Sequence, residues 1–260
     1  MRYDAVIFDL DETLMPEYQA VEAAFAEACK PAVVSCDVDA AALAEAVRHR
    51  GRELWRQSPS HDWCQRIGIS SWEGLSGDFS GDGRELTALR QWMENSRFRP
   101  SVWRRALADV GVQDDPLADQ LADRIVAVRG KHHSVYPETP GVLEQLQGRR
   151  RLAMLTNGAP RVQRDKIEAV GLEQYFDVVV ISGEAGIGKP DAGVFELMLS
   201  HLGVEASAAV MVGDSLGRDI AGARNAGLGT IWVNRTGRPP SEPVRPDHEV
   251  PGLTEVLNLV

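Results

Sequence analysis

Two aspartates lie two residues apart, directly after a short apolar run near the N-terminus. Residues 5–8 form the run, and Asp9 and Asp11 follow it with Leu10 between them. The run predicts a buried strand, and open α/β sheets bind ligands beyond the carboxyl ends of their strands. Two carboxylates this close repel each other unless a cation lies with them. The pair therefore predicts a divalent metal site, with an Asp-rich turn at a strand end as the simple alternative.

A third aspartate follows another apolar run much later in the chain. Residues 209–212 are followed by Gly213 and Asp214, and Asp219 comes shortly afterwards. A helix N-cap would explain one of these two aspartates but not both. We expect Asp214 to bind the metal and Asp219 to support the site from behind.

Two further segments carry groups that suit a phosphate. Thr156, Asn157 and Gly158 follow a third apolar run and offer a hydroxyl and free backbone N–H groups, although this triplet is also ordinary turn chemistry. Lys189 would balance the carboxylates and hold a transferring phosphoryl group. The alternative for Lys189 is a lysine that is solvated on the surface.

Five short runs rich in β-branched residues predict the strands that must position these groups. Helical segments separate the last four runs, and this alternation predicts right-handed crossovers and a parallel sheet. The runs are 5–8, 152–155, 178–181, 209–212 and 230–233, and the helices between them are 161–170, 192–202 and 218–226.

A long insertion with helical periodicity separates the first two runs. It predicts helices over 16–30, 39–55, 84–95, 100–110 and 116–128, with Asp115 as the N-cap of the last and a structured loop over 58–83. The segment 236–252 carries five prolines and is predicted to be a surface connection. We therefore expect an α/β core, residues 1–15 and 134–260, and an inserted helical domain, residues 16–133.

Composition bears on partners and compartment. A formal charge of −10 and a pI of about 5.1 disfavour nucleic acid and anionic membranes, because affinity for phosphate backbones rests on Lys and Arg. Three cysteines without C-x-x-C spacing favour a reducing compartment over disulfides or a zinc site. With neither a leader-like N-terminus nor a membrane-length apolar run, we expect a cytoplasmic protein. The oligomeric state is left open.

Together and in this order, the four segments resemble the haloacid dehalogenase superfamily of hydrolases, in its subfamily with a helical cap after strand one. The matching pieces are Asp9-Leu10-Asp11-Glu12-Thr13, Leu155-Thr156-Asn157-Gly158, Gly188-Lys189-Pro190-Asp191 and Gly213-Asp214-Ser215 through Asp219. The resemblance implies a doubly wound, Rossmann-like parallel sheet of five strands in the order 3-2-1-4-5. Glu12 is a departure, because relatives often carry glycine or aspartate at that position.

The same resemblance implies a magnesium-dependent phosphatase that acts on a small-molecule phosphate monoester. Asp9 would be the nucleophile that forms an aspartyl-phosphate, and Asp11 would act first as acid and then as base. Magnesium would lie on Asp9, the backbone carbonyl of Asp11 and Asp214, with Asp219 in support. Thr156, the Asn157 backbone and Lys189 would bind the phosphoryl group.

The helical cap is expected to choose the substrate, which the sequence does not identify. Aromatic and cationic residues gather in one part of it, and the alternative for most of the tryptophans is a place in the cap core. These residues are Trp55, Arg56, His61, Trp63 and Arg66.

Three other functions stay open from the sequence. A phosphomutase uses the same carboxylates, and a binding protein can keep the fold without the turnover. A 2-haloacid dehalogenase-like hydrolase fits less well, because relatives of that kind typically lack an acid/base residue at the position of Asp11 and need no metal.

Overall fold

The protein forms two compact units, which are described separately. The computed structural model describes residues 3–240 and 243–260; residues 1, 2, 241 and 242, the last two within the proline-rich segment, lie outside the described residues. The α/β unit comprises the described residues up to Glu17, Ser134–Asn157 and Ile167–Val260. The helical unit comprises Tyr18–His133 and Gly158–Lys166.

The α/β unit is built on a parallel six-stranded sheet in the order 3-2-1-4-5-6, which confirms the predicted fold class. All five predicted strands are present, but the predicted number of strands is one too low. The extra strand β6 pairs with β5 from within the proline-rich segment, and a strand of three residues is too short for a periodicity to reveal. The strands are β1 (Ala5–Phe8), β2 (Arg151–Thr156), β3 (Val178–Ile181), β4 (Ala209–Gly213), β5 (Gly229–Val233) and β6 (His248–Val250).

Strand β1 is central and fully buried, because it pairs with β2 on one side and β4 on the other. Its side chains alternate between two apolar layers. Val6 and Phe8 lie in one layer, and Ala5 and Ile7 lie in the other. A strand that is buried on both faces has a continuous apolar sequence, which is why this run was recognisable.

The helical unit contains the helices predicted for the insertion, with four differences. The first helix continues through Pro31 and ends at Cys36, beyond its predicted end at residue 30. The segment 58–83 holds two short helices instead of only a loop. The last helix is capped by Asp114, whose side chain accepts a hydrogen bond from the Leu117 N–H at 2.9 Å, and not by Asp115. Helix α6 begins at Phe98, before the predicted start. The helices are α1 (Glu17–Cys36), α2 (Ala40–Trp55), α3 (His61–Ile67), α4 (Ser71–Ser76), α5 (Arg84–Asn95), α6 (Phe98–Asp109) and α7 (Asp115–Arg129).

Several aromatic side chains pack together in the core of the helical unit. The ring of Trp55 lies 5.4 Å from that of Phe98 and 6.0 Å from that of Trp92, and Trp103 is fully buried. Trp63 packs partly buried against the same core. Trp55 and Trp63, which were candidates for substrate choice, thus contribute to the core. The candidates Arg56 and Arg66 are exposed.

Five α-helices follow α7 in the described part of the chain. They are α8 (Thr139–Leu146), α9 (Pro160–Ala169), α10 (Ser182–Ala185), α11 (Ala192–Leu202) and α12 (Ala221–Asn225). A wider π-helical turn, Leu216–Ile220, precedes α12 where one continuous helix was predicted. None of the helices in the described ranges has the length and apolarity that a membrane span requires.

Candidate active site

Three neighbouring strands place predicted site residues at their carboxyl ends. Asp9 directly follows β1, and its N–H donates to the carbonyl of Val212 in β4 at 3.0 Å. Asp214 directly follows β4, and Thr156 is the last residue of β2, where it is 1% exposed. Since β2, β1 and β4 are adjacent and parallel, these ends meet at one edge of the sheet.

Lys189 is buried among acceptors instead of being solvated. Its Nζ lies 2.6 Å from Asp9 Oδ1, 2.7 Å from Asp219 Oδ1 and 2.7 Å from the Leu155 carbonyl, and the residue is 3% exposed. An ammonium group has three donors, and three acceptors lie within reach of it here. The alternative of a surface lysine is therefore wrong.

Asp9, Asp214 and Asp219 form a group of carboxylates. Each offers an oxygen that lies within 4.8 Å of the others. Asp219 approaches the backbone so closely that a Cβ on Gly213 would come within 2.4 Å of its Oδ2, so this position requires glycine. The Ser215 N–H donates to the same Oδ2 at 2.9 Å and fixes the carboxylate.

The electrostatics of the group follow from burial and from mutual repulsion. Burial raises the pKa of Asp9 well above its usual range; Lys189 opposes this rise, and the neighbouring aspartates reinforce it. Burial and Asp219 raise the pKa of Asp214 to about 7. Burial alone would lower the pKa of Lys189, but Asp219 and Asp9 outweigh it and keep the ammonium charged. Among the described residues, Lys189 is the buried cation beside these three aspartates, so carboxyl groups outnumber buried cations at this site.

This donor set fits a magnesium ion. The carboxylates offer hard oxygen ligands, and a cation would offset the burial and the mutual repulsion that raise the pKa values of Asp9 and Asp214. Asp219 is paired with Lys189, which agrees with a supporting position. Asp11 is close enough to raise the pKa of Asp9 further, is partly buried and forms an isolated β-bridge with Met15.

Asn157 has a structural contact that the sequence did not reveal. Its side-chain Nδ2 donates to the Lys189 carbonyl at 2.8 Å, and its Oδ1 accepts from the Lys189 N–H at 2.9 Å. The amide therefore holds the main chain that carries the buried ammonium. The sequence predicts a role only for the Asn157 backbone, because the partner of the side chain lies 32 positions away.

Two contacts to Asp214 were also missed. The Trp232 indole N–H donates to the Asp214 carbonyl at 2.8 Å, and Arg238 Nη2 lies 3.7 Å from Asp214 Oδ2. The Arg238 side chain is more than half exposed, so we assign it a weak screening role. Neither partner has a motif around it that the sequence could have used.

Comparison with known proteins gives relatives along nearly the whole chain. A family model described as haloacid dehalogenase-like hydrolase matches residues 3–227. The phosphoserine phosphatase of Thermus thermophilus is 37% identical over 255 residues, 97% of this chain and 97% of that protein. The ribulose-1,5-bisphosphate 5-phosphatase of Halopiger xanaduensis is 31% identical and covers 98% of each chain.

A solved structure adds a relative with a different activity. The 2-haloacid dehalogenase of Pseudomonas syringae superimposes with a TM-score of 0.63 and is 30% identical. The match covers 99% of this chain and 97% of the dehalogenase. The similar proteins thus include enzymes that are named for two reactions.

Proposed function

The chain belongs to the haloacid dehalogenase-like hydrolases, and we propose that it is a magnesium-dependent phosphatase that forms an aspartyl-phosphate on Asp9. Family membership confirms the predicted family and the predicted hydrolase class. The observation that carries the phosphatase proposal is the ion pair of Asp9 and Lys189 at 2.6 Å, with Asp214 and Asp219 beside it. A cytoplasmic location, expected from the cysteine content, stays part of the proposal.

In the first step, a carboxylate oxygen of Asp9 attacks phosphorus while the bond to the ester oxygen breaks. Asp11 gives its proton to the departing alkoxide, which is a poor leaving group without one. Lys189 favours the ionised form of Asp9 and orients it, since it donates to Oδ1 of that carboxylate. Thr156, the Asn157 backbone and the Lys189 ammonium are proposed to bind the phosphoryl oxygens.

In the second step, water attacks the phosphorus of the aspartyl-phosphate and transfers a proton to Asp11. The bond from phosphorus to Asp9 breaks, inorganic phosphate leaves, and both aspartates return to their starting states. We propose that Asp9, Asp214 and the backbone carbonyl of Asp11 hold the magnesium. Bound magnesium would offset the repulsion between the anionic nucleophile and the anionic substrate.

Carbon–halogen hydrolysis is the second candidate, because the 30% identical solved structure is a dehalogenase. A halide leaves as a weakly basic anion and needs no proton, so a dehalogenase gains little from an acid beside its nucleophile. Two features favour phosphate here: Asp11 beside the nucleophile, and the carboxylates Asp214 and Asp219, which could help to hold a magnesium ion that offsets the charge of an anionic phosphate.

The proposed substrate is a small phosphate monoester, and phosphoserine is the first one to test. The relative named phosphoserine phosphatase aligns with 97% of the chain, which supports this choice. A phosphomutase would return an isomeric phosphate ester, whereas a phosphatase releases inorganic phosphate. Product analysis therefore separates these two possibilities.

The test combines substrate, metal and product. Phosphoserine, p-nitrophenyl phosphate and 2-chloropropionate are each supplied with magnesium and then with excess chelator. We expect inorganic phosphate from at least one of the two esters, with the activity lost in chelator and restored by added magnesium. Chloride release with no phosphate release, or equal phosphate release with and without chelator, would reject the proposal.

A further inference from the structure

A tight loop carries the proposed acid/base residue, and its shape is held from within. In this Asp11 loop, residues 10–15, the Glu12 N–H donates to the Met15 carbonyl at 2.8 Å and the Leu14 N–H donates to the Leu10 carbonyl at 2.9 Å. Glu12 has a φ of 60°, in the left-handed region that glycine and asparagine normally occupy.

The Glu12 side chain is held by Tyr136. The Tyr136 hydroxyl donates to Glu12 Oε2 at 3.2 Å, and the Tyr136 N–H donates to the Leu14 carbonyl at 3.1 Å. Burial, with help from Glu12, raises the pKa of Tyr136 to about 12, so the hydroxyl remains a donor at neutral pH. One residue therefore contacts the loop through both its side chain and its main chain.

Arg235, which follows β5, fixes both the tyrosine and the loop. Its guanidinium carbon lies 3.4 Å from the centroid of the Tyr136 ring, in a stacked cation–π contact. Its Nη2 donates to the Thr13 carbonyl at 2.9 Å, and its Nη1 donates to Glu138 Oε1 at 2.7 Å. The side chain is 19% exposed. The planar guanidinium can stack on the ring and donate to two acceptors at once, and a lysine ammonium cannot reproduce this geometry.

We propose that Arg235, acting through Tyr136 and Glu12, is a positioning residue that holds the Asp11 loop so that the Asp11 carboxyl meets the leaving oxygen. The inference rests on the proposed phosphatase function and assigns roles to Arg235 and Tyr136, which lie outside the four motifs, and to Glu12 within the first of them. Glu12, the departure from the family pattern, is then the point at which the support from Tyr136 reaches the loop. Thr139 adds a hydrogen bond from its hydroxyl to the Leu14 carbonyl at 2.9 Å.

The test uses two esters that differ in their need for an acid. p-Nitrophenyl phosphate has a good leaving group, whereas phosphoserine has an alkoxide leaving group that requires protonation. A misplaced Asp11 slows the second reaction more than the first. For Arg235→Lys we expect the loss in kcat/KM to be about tenfold larger with phosphoserine than with p-nitrophenyl phosphate. Tyr136→Phe should give a smaller difference in the same direction.

Arg224→Lys is the matched control. Arg224 also lies in the α/β unit, donates to a backbone carbonyl, that of Arg245, at 2.8 Å, and lies 3.7 Å from a carboxylate oxygen of Asp247. It makes none of the described contacts to the Asp11 loop, so neither ester should respond to its replacement. Equal losses for both esters in Arg235→Lys, or none, would overturn the inference while leaving the phosphatase proposal intact.

Hydrogen exchange gives a readout that does not depend on activity. Amide exchange across residues 10–15, followed by mass spectrometry, should be faster in Arg235→Lys and Tyr136→Phe than in the wild-type protein and in Arg224→Lys. If the wild-type protein hydrolysed no phosphate ester, the proposed function would fail, and the exchange rates would still report whether Arg235 holds the loop. Unchanged exchange would reject the positioning role.

Discussion

Each of the two units buries a group of charged side chains, and the two groups differ in their balance. In the α/β unit, Asp9, Lys189 and Asp219 are buried, and Asp214 adjoins them. In the helical unit, the buried charged residues are Glu73, Arg129 and Lys166. The first group has an excess of carboxylates, whereas the second has one carboxylate and two cations.

The group in the helical unit has a structural explanation. Helix α9 begins after Ala159, a residue without a side-chain acceptor for a helix N-terminus. Glu73 provides the acceptor: its Oε1 accepts from the Ala159 N–H at 2.8 Å, and its Oε2 accepts from the Ser70 N–H at 2.7 Å. Burial raises the pKa of Glu73, and Lys166 opposes that rise. The carboxylate thus joins two helix N-termini.

Burial of charge therefore does not by itself identify an active site. What distinguishes Asp9 is its place beyond a parallel strand, beside further carboxylates that one lysine cannot balance. An excess of buried carboxylate needs a cation, and a metal ion can meet that need. Glu73 already has backbone donors and nearby cations, so it needs no further ligand.

We expect the greatest loss of turnover when the Asp9 carboxylate is neutralised, and only a small loss when the Glu73 carboxylate is neutralised. Asp9→Asn removes the proposed nucleophile and should lower kcat by at least about 10⁴-fold, whereas Glu73→Gln should change kcat by less than about tenfold. Steady-state kinetics with phosphoserine and p-nitrophenyl phosphate would measure both. Similar losses of kcat in the two variants would contradict the assignment of Asp9 as catalytic and Glu73 as structural.

Asp11 tests whether a carboxylate of the site is essential even when it is only partly buried. Asp11→Asn removes the acid and base but keeps the backbone carbonyl, so we expect turnover to fall about 10²- to 10⁴-fold with magnesium affinity retained. Calorimetric titration with magnesium would measure that affinity. A large loss of magnesium binding would contradict the proposed ligand role of the carbonyl.

The buried lysines provide a matched pair for stability. Lys189→Met and Lys166→Met each remove a buried cation, and each should lower the free energy of unfolding by about 3–5 kcal/mol. Magnesium should restore part of the loss only in Lys189→Met, because a cation bound at Asp9 can replace the missing charge. Urea unfolding with and without magnesium tests this, and equal rescue of both variants would contradict it.

The smallest expected effect concerns an exposed ion pair. Asp119 accepts from Arg97 Nη2 at 3.0 and 2.9 Å, and both side chains are about half exposed. Asp119→Ala should lower the free energy of unfolding by less than about 1 kcal/mol and leave turnover unchanged. A loss of unfolding free energy as large as that for Lys166→Met would mean that burial does not decide how much a charged side chain contributes to stability.

Much of the fold was predictable because its strands are short, continuous and apolar. The bounds of β1 and β3 match their predicted runs, since strands covered on both faces cannot tolerate polar residues. Strand β6, the two helices within 58–83 and the Asp114 cap were missed or misplaced. Those elements depend on pairing partners or on a choice between adjacent capping residues, and periodicity carries no information about either.

By itself, the sequence determined which residues could do chemistry and on which strand ends they would lie. Motif order and the alternation of strands and helices contain that information, because a parallel sheet brings its carboxyl ends to one edge. Three contacts became visible only in the folded protein. Lys189 is buried against Asp9 and Asp219. The Asn157 side chain holds the Lys189 main chain, and Arg235 donates to the Asp11 loop. Such contacts join residues that are far apart in the chain, and their geometry exists only once the chain is packed.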